Sequence, residues 1–122
     1  MSKSENIEMA GRCLEAAKMY LRRKGMDILN EEPFVCEHGS IAIVANSPER
    51  GIVFVDVVAK SSDGSTLDKG VGKVDRDVLE EVAIAYLATH EVADSPVVFD
   101  QITVVVYGES RAFIRHHINC LN

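Results

Sequence analysis

The sequence has no tryptophan, and its 122 residues hold only three tyrosines and four phenylalanines. A chain so poor in flat apolar rings is not expected to build base-stacking platforms for single-stranded nucleic acid. Cysteine is scarce and oddly placed. Cys13, Cys36 and Cys120 are three in number, widely separated and without a CxxC pair. That pattern fits neither a disulfide framework nor a zinc cage, and it suits a reducing, cytoplasmic compartment. No apolar run approaches the roughly 20 residues of a membrane helix, so no membrane span is expected. The opening MSKSENIEMAGR lacks the apolar core of a secretory leader. Internal repeats and low-complexity tracts are absent as well.

What is present is ordinary globular composition, 47% hydrophobic and 26% charged. The length suits a single domain over residues 1–122, large enough to bury a core without staples. Acidic residues outnumber basic ones, giving a formal net charge of −6. Proteins that grip a phosphate backbone usually present a basic face, so the acidic balance disfavours nucleic acid as a partner. A homodimer is left open.

Hydrophobic spacing predicts the elements. Ile7, Ala10, Leu14, Ala17 and Leu21 recur every three or four residues, which predicts a helix over residues 4–25 ended by Gly25. Residues 27–36 read as a first strand, interrupted and edge-like because Pro33 has no N–H to give a ladder. Residues 40–46 read as a second strand. SPERG is a turn, and IVFVDVVAK is a third strand completing a hairpin. That third strand is apolar on both faces except at Asp56, as a central covered strand would be. A second helix is predicted over about 75–90, with Val78, Val82 and Ala85 inward and Asp75, Asp77, Glu80 and Glu81 on its acidic side. VVFDQITVVVY (97–107) and RAFIRHHI follow as strands. The order is αβββαββ, an α/β (α+β) mixed sheet flanked by helices.

That order, with an acid in the third strand, resembles the core of the restriction-endonuclease-like fold. Local sequence narrows the resemblance to the YraN-like family of predicted endonucleases. AAKMYLRRKGMDIL is similar to that family's opening helix and first strand, GSIAIVA to its GEIDLIA, and IVFVDVVAK to its LVFVEVKTR. VLEEVAIAYL is similar to its second helix ending in AxxYL, FDQITVV to its FDV strand, and HINCLN to its closing HIKNAF. The resemblance implies metal-dependent phosphodiester cleavage, in which carboxylates of the second and third strands hold Mg²⁺ and a lysine two residues after the third-strand acid serves the attacking water.

Position by position, the implied machinery is thin. Ala42 stands where the second-strand acid would be, and Ser40 replaces the preceding glutamate. Asp56 keeps the third-strand acid. Val58 stands where the lysine would be, and the helical glutamate falls near Leu14. Asp56 is therefore the remnant catalytic residue, or a metal ligand with Glu37 or Asp63 in an unorthodox nuclease. Lys60, two residues past the lost lysine and on the same face by alternation, is a candidate surrogate. His38 beside Glu37 is a further stand-in.

Each also has a structural reading. Asp56 could be an acid held by a backbone amide or by Lys60, Glu37 and His38 a solvated turn, and Lys60 a strand-end charge. His116 and His117 point to opposite faces, and His117 matches the histidine of HIKNAF, which implies a packing role. Asp100 matches the acid of FDV. Arg22, Arg23 and Lys24, with Arg12 and Lys18 on the same helix, make the best basic patch, which the helix C-terminal dipole explains without DNA. The favoured expectation is a non-catalytic member of a nuclease family, with no cofactor, acting as an interaction or weak nucleic-acid-binding module. The alternative is a Mg²⁺-dependent nuclease built on Asp56 and a non-standard second carboxylate.

Overall fold

The computed structural model describes residues 3–62, 76–90, 96–108 and 111–121. Helix α1 (Lys3–Arg23) buries Cys13, Ala17 and Leu21. Its stripe follows the predicted spacing from Ala17 on, but Ile7 is 65% exposed, so the first turns extend beyond the core. The helix stops where predicted. Gly25 adopts φ +88°, and the Met26 amide returns to the Leu21 carbonyl at 3.1 Å. This left-handed closure satisfies carbonyls that the helix end would leave orphaned.

The expected first strand divides into β1 (Asp27–Ile28) and β2 (Phe34–Cys36). The expected second strand divides into β3 (Gly39–Ile41) and β4 (Ile43–Ser47), with a bend at Ala42. Asn30 explains how both breaks are tolerated. Its side-chain amide donates to the Ala42 carbonyl at 3.0 Å, and its oxygen accepts the Val44 amide at 2.8 Å. One side chain thus replaces the ladder bonds lost at the bend. Beyond it, β2 and β3 peel away as a separate antiparallel pair.

β5 (Gly51–Ser61) is the central strand, and Ile52 to Ala59 are all buried, as the two-sided apolar run predicts. It pairs antiparallel with β4, then parallel with β6 (Val97–Tyr107) through the crossover helix α2 (Arg76–Thr89). β7 (Arg111–His117) closes the order β1-β4-β5-β6-β7. Gly51 is needed at the start of β5. Its φ is +89°, and a Cβ there would lie 2.3 Å from the Pro96 carbonyl oxygen, which accepts the Ile52 amide.

Alternation along β5 creates two cores. Val53, Val55, Val57 and Ala59 pack toward α1 with Ile43, Ala45, Ile102 and Val104. Ile52 and Phe54 pack toward α2 with Ile41, Val44, Leu79, Val82, Ala83 and Tyr86. The α2 stripe is therefore Leu79, Val82, Ala83 and Tyr86, with Val78 and Ala85 only half-buried. Phe34 joins the β2–β3 pair to this core, edge-on to Tyr86 at 5.3 Å. No described helix is long and apolar enough to cross a membrane.

Candidate functional site

Asp56 lies inside the hairpin strand β5, 5% exposed, and by alternation it shares the α2 side of the sheet with Phe54, Val58 and Lys60. Its cross-strand partner is Gln101 on β6, whose Nε2 donates to Asp56 Oδ2 at 3.4 Å. The neighbour across the parallel pair is thus an amide, which can offer a donor but no charge. Val58 occupies the next position on that face and is buried, so no cation stands two residues from the acid. Lys60 follows, half-buried near the strand end.

Ala42 falls at the bend. One step beyond the last β4–β5 pair, Ile43 with Val55, would set it opposite Asp56. The ladder ends first, and Ala42 packs against the α1-side core.

Glu37 and His38 sit on the turn between β2 and β3. His38 Nδ1 meets Glu81 of α2 at 3.0 Å, and Nε2 meets Glu37 at 3.4 Å. Both residues are largely exposed, and the pairing ties the small sheet to α2. Asp63 and Asp75 lie outside the described residues. Among the described residues, no three of His, Cys, Asp and Glu converge as a metal-binding group.

A heavily bonded polar cluster lies elsewhere, on the α1 side of β6. The Asp100 side chain is fully buried, and Arg50 grips it with two bonds of 2.7 Å, Nη1 to Oδ2 and Nη2 to Oδ1. His116 Nε2 lies 2.7 Å from Oδ2, and the Asn119 backbone amide donates to Oδ1 at 2.9 Å. Arg50 Nη2 also donates to Asn119 Oδ1 at 3.0 Å. Asn119 has φ 54°, a left-handed conformation that asparagine tolerates and that aims its amide at the carboxylate. Tyr20 of α1 completes the chain, its hydroxyl 3.0 Å from His116 Nδ1. A carboxylate only accepts, so His116 Nε2–H donates to it, which leaves Nδ1 to face the Tyr20 hydroxyl.

Burial alone would push the Asp100 carboxyl up. Arg50, His116 and the Asn119 amide outweigh it and hold the group well below the usual carboxylate range. The bond to Asp100, with its charge, in turn raises Arg50 against the effect of burial. Burial first, then the Asp100 charge, pushes the Cys120 thiol up, away from a reactive thiolate. None of the three cysteines is disulfide-bonded.

Sequence reasoning singles out Asp100 but not its partners. Arg50 lies in a segment that reads only as a turn. The packing role assigned to His117 belongs to His116, because His116 faces α1 and the exposed His117 faces the other way. Lys18 is not part of a solvated patch. It is 6% exposed, donates to the Glu31 carbonyl at 3.1 Å and pairs with Glu15 at 3.5 Å.

An α-helix, an antiparallel hairpin with an acid in its inner strand, a crossover helix and a parallel strand define a mixed α+β protein compatible with the restriction-endonuclease-like fold. Within that class the chain belongs to the uncharacterised protein family UPF0102, whose profile matches residues 15–104. It is 28% identical over 120 residues to a UPF0102 protein of Pelobacter propionicus, the alignment covering 97% of this chain and 85% of that one. The resemblance to the YraN-like family read from six sequence blocks is borne out by both matches.

Proposed function

We propose that this protein is a non-catalytic member of its nuclease-like family and acts by binding, as an interaction or weak nucleic-acid-binding module. The observation that carries this reading is the company Asp56 keeps. Its partner on β6 is the neutral Gln101, the next residue on its face is buried Val58, and Ala42 stands at the bend. The position two residues beyond this carboxylate is Val58, not a lysine that could serve a water, and one carboxylate holds Mg²⁺ weakly. Glu37, the alternative ligand that lies among the described residues, is engaged by His38 on an exposed turn.

The test is cleavage of labelled single- and double-stranded oligonucleotides with Mg²⁺ or Mn²⁺, comparing the native protein with Asp56→Asn. The reading expects equal, background-level cleavage from both. Metal-dependent cleavage that Asp56→Asn abolishes while its melting temperature is kept would establish the alternative, a nuclease with a non-standard second carboxylate.

A further inference from the structure

Resting on the nucleic-acid-binding reading above, we infer that the exposed face of β7 and its junction with β6 is a docking strip for single-stranded nucleic acid. Register places the residues. β6 pairs with β7 through Val105 with Phe113, Thr103 with Arg115, and Gln101 with His117. β5 pairs with β6 through Lys60 with Val105, Val58 with Thr103, and Asp56 with Gln101. Three rows therefore cross the α2 side of the sheet: Lys60–Val105–Phe113, Val58–Thr103–Arg115 and Asp56–Gln101–His117.

The outer end of these rows is open. Phe113 is 45% exposed and Tyr107 is 40% exposed, with ring centroids 6.1 Å apart. The Arg115 guanidinium lies over the Phe113 ring at 5.9 Å. The scarcity of aromatics argues against a stacking platform, yet two of the chain's seven are gathered here, half-exposed, beside a cation. Among the described residues neither Arg115 nor Lys60 has a carboxylate partner, whereas Arg50, Arg76 and Lys18 each have one. In a chain of net charge −6, a strip of unneutralised cations selects an anionic occupant.

The aromatics decide which anion. Bases in a duplex bury their faces against each other, whereas a single strand can lay them on Phe113 and Tyr107. Residues two apart in β7 are about 6.7 Å apart, so Phe113, Arg115 and His117 offer a ring and two donors in step along an extended strand. A second copy of this chain is a poorer occupant. Antiparallel pairing of two β7 edges about Ile114 would set Arg115 against Phe113 and Arg111 against His117, with the cations of both copies crowded together.

The experiment is fluorescence anisotropy of an end-labelled 20-mer oligothymidylate, and of a duplex of equal length, at low salt. The proteins are the native chain, Phe113→Ala, Phe113→Tyr, Arg115→Ala and a control Arg22→Ala/Arg23→Ala on α1, each checked for native melting. The strip predicts tighter binding to the single strand than to the duplex. Phe113→Ala and Arg115→Ala should each weaken it roughly five- to fifty-fold, Phe113→Tyr should restore it, and the α1 control should stay within about twofold. Binding lost in the α1 control but kept in the β7 variants, or a preference for the duplex, overturns this inference and leaves the nucleic-acid-binding reading standing. Binding to neither polymer overturns both.

Discussion

Replacing Arg50 by methionine tests whether the Asp100 cluster holds the fold together. Methionine keeps much of the apolar stem and removes both 2.7 Å bonds to a carboxylate with no solvent exposure. Breaking a buried pair by removing one partner costs about 3–5 kcal/mol, because the remaining charge is left desolvated. His116 and the Asn119 amide still bond to Asp100, so the lower half of that range is expected. Against a total stability of about 5–15 kcal/mol, a loss of about 3 kcal/mol lowers the melting temperature by roughly 10 °C. The assay is thermal and urea unfolding of the native protein, Arg50→Met, Asp100→Asn and the double variant. The double variant should cost less than the sum of the singles by at least about 1 kcal/mol, the signature of direct coupling. A loss under about 1 kcal/mol in Arg50→Met, with simple additivity, would refute the reasoning.

The same cluster sets a pH dependence. The folded Asp100 carboxyl titrates well below its unfolded value, so its contribution is complete above about pH 5 and is lost as the pH falls through 4 and below. Native protein should therefore lose more stability than Asp100→Asn between about pH 5 and 3, and parallel urea midpoints would contradict this. Asn30→Ala should cost about 1–3 kcal/mol and speed hydrogen exchange at the Val44 amide, which the Asn30 oxygen accepts at 2.8 Å. Unchanged exchange there would mean the bend holds without it. Gly51→Ala should be among the most damaging single changes, about 2 kcal/mol or more, because a positive φ and the Pro96 carbonyl both exclude a Cβ. A native-like melt would show that the turn can shift. Ala42→Asp with Val58→Lys should gain no stability from roughly 10 mM Mg²⁺, because Ala42 packs against the α1-side core while Asp56 and Val58 face α2. A gain of about 1.4 kcal/mol, that of a site of millimolar affinity, would show that residues 42, 56 and 58 converge after all.

The central features are legible in the sequence because they rest on local pattern. The apolar run around Asp56 marks a strand covered on both sides, and β5 is that strand. Gly25 marks the end of α1, and it closes α1. What stays hidden depends on partners far apart in the chain. Nothing near Asn30 shows that it will stitch Ala42 and Val44, so the pattern predicts two strands where there are four short ones. Arg50 looks like any charged turn residue until β6 brings Asp100 beside it, fifty positions on. Of the adjacent histidines, alternation says that they diverge but not which meets α1. For the candidate site, the pattern puts Asp56 in the right strand and cannot foresee Gln101 as its neighbour, since that depends on the register of a parallel pair.

The Asp100 cluster also has a kinetic consequence. Its bonds join residues 16, 19, 50, 69 and 96 positions apart, so it draws together α1, the β4–β5 turn, β6 and the segment after β7. No part of the chain short of Asn119 can complete it. Closing such distant loops is an entropic cost met before the reward. On a ribosome, Asp100 would emerge with Arg50 already available but with His116 and Asn119 still to be added. The carboxylate would therefore stay only partly satisfied until β7 docked, and locking of α1 onto the sheet would wait for Asn119.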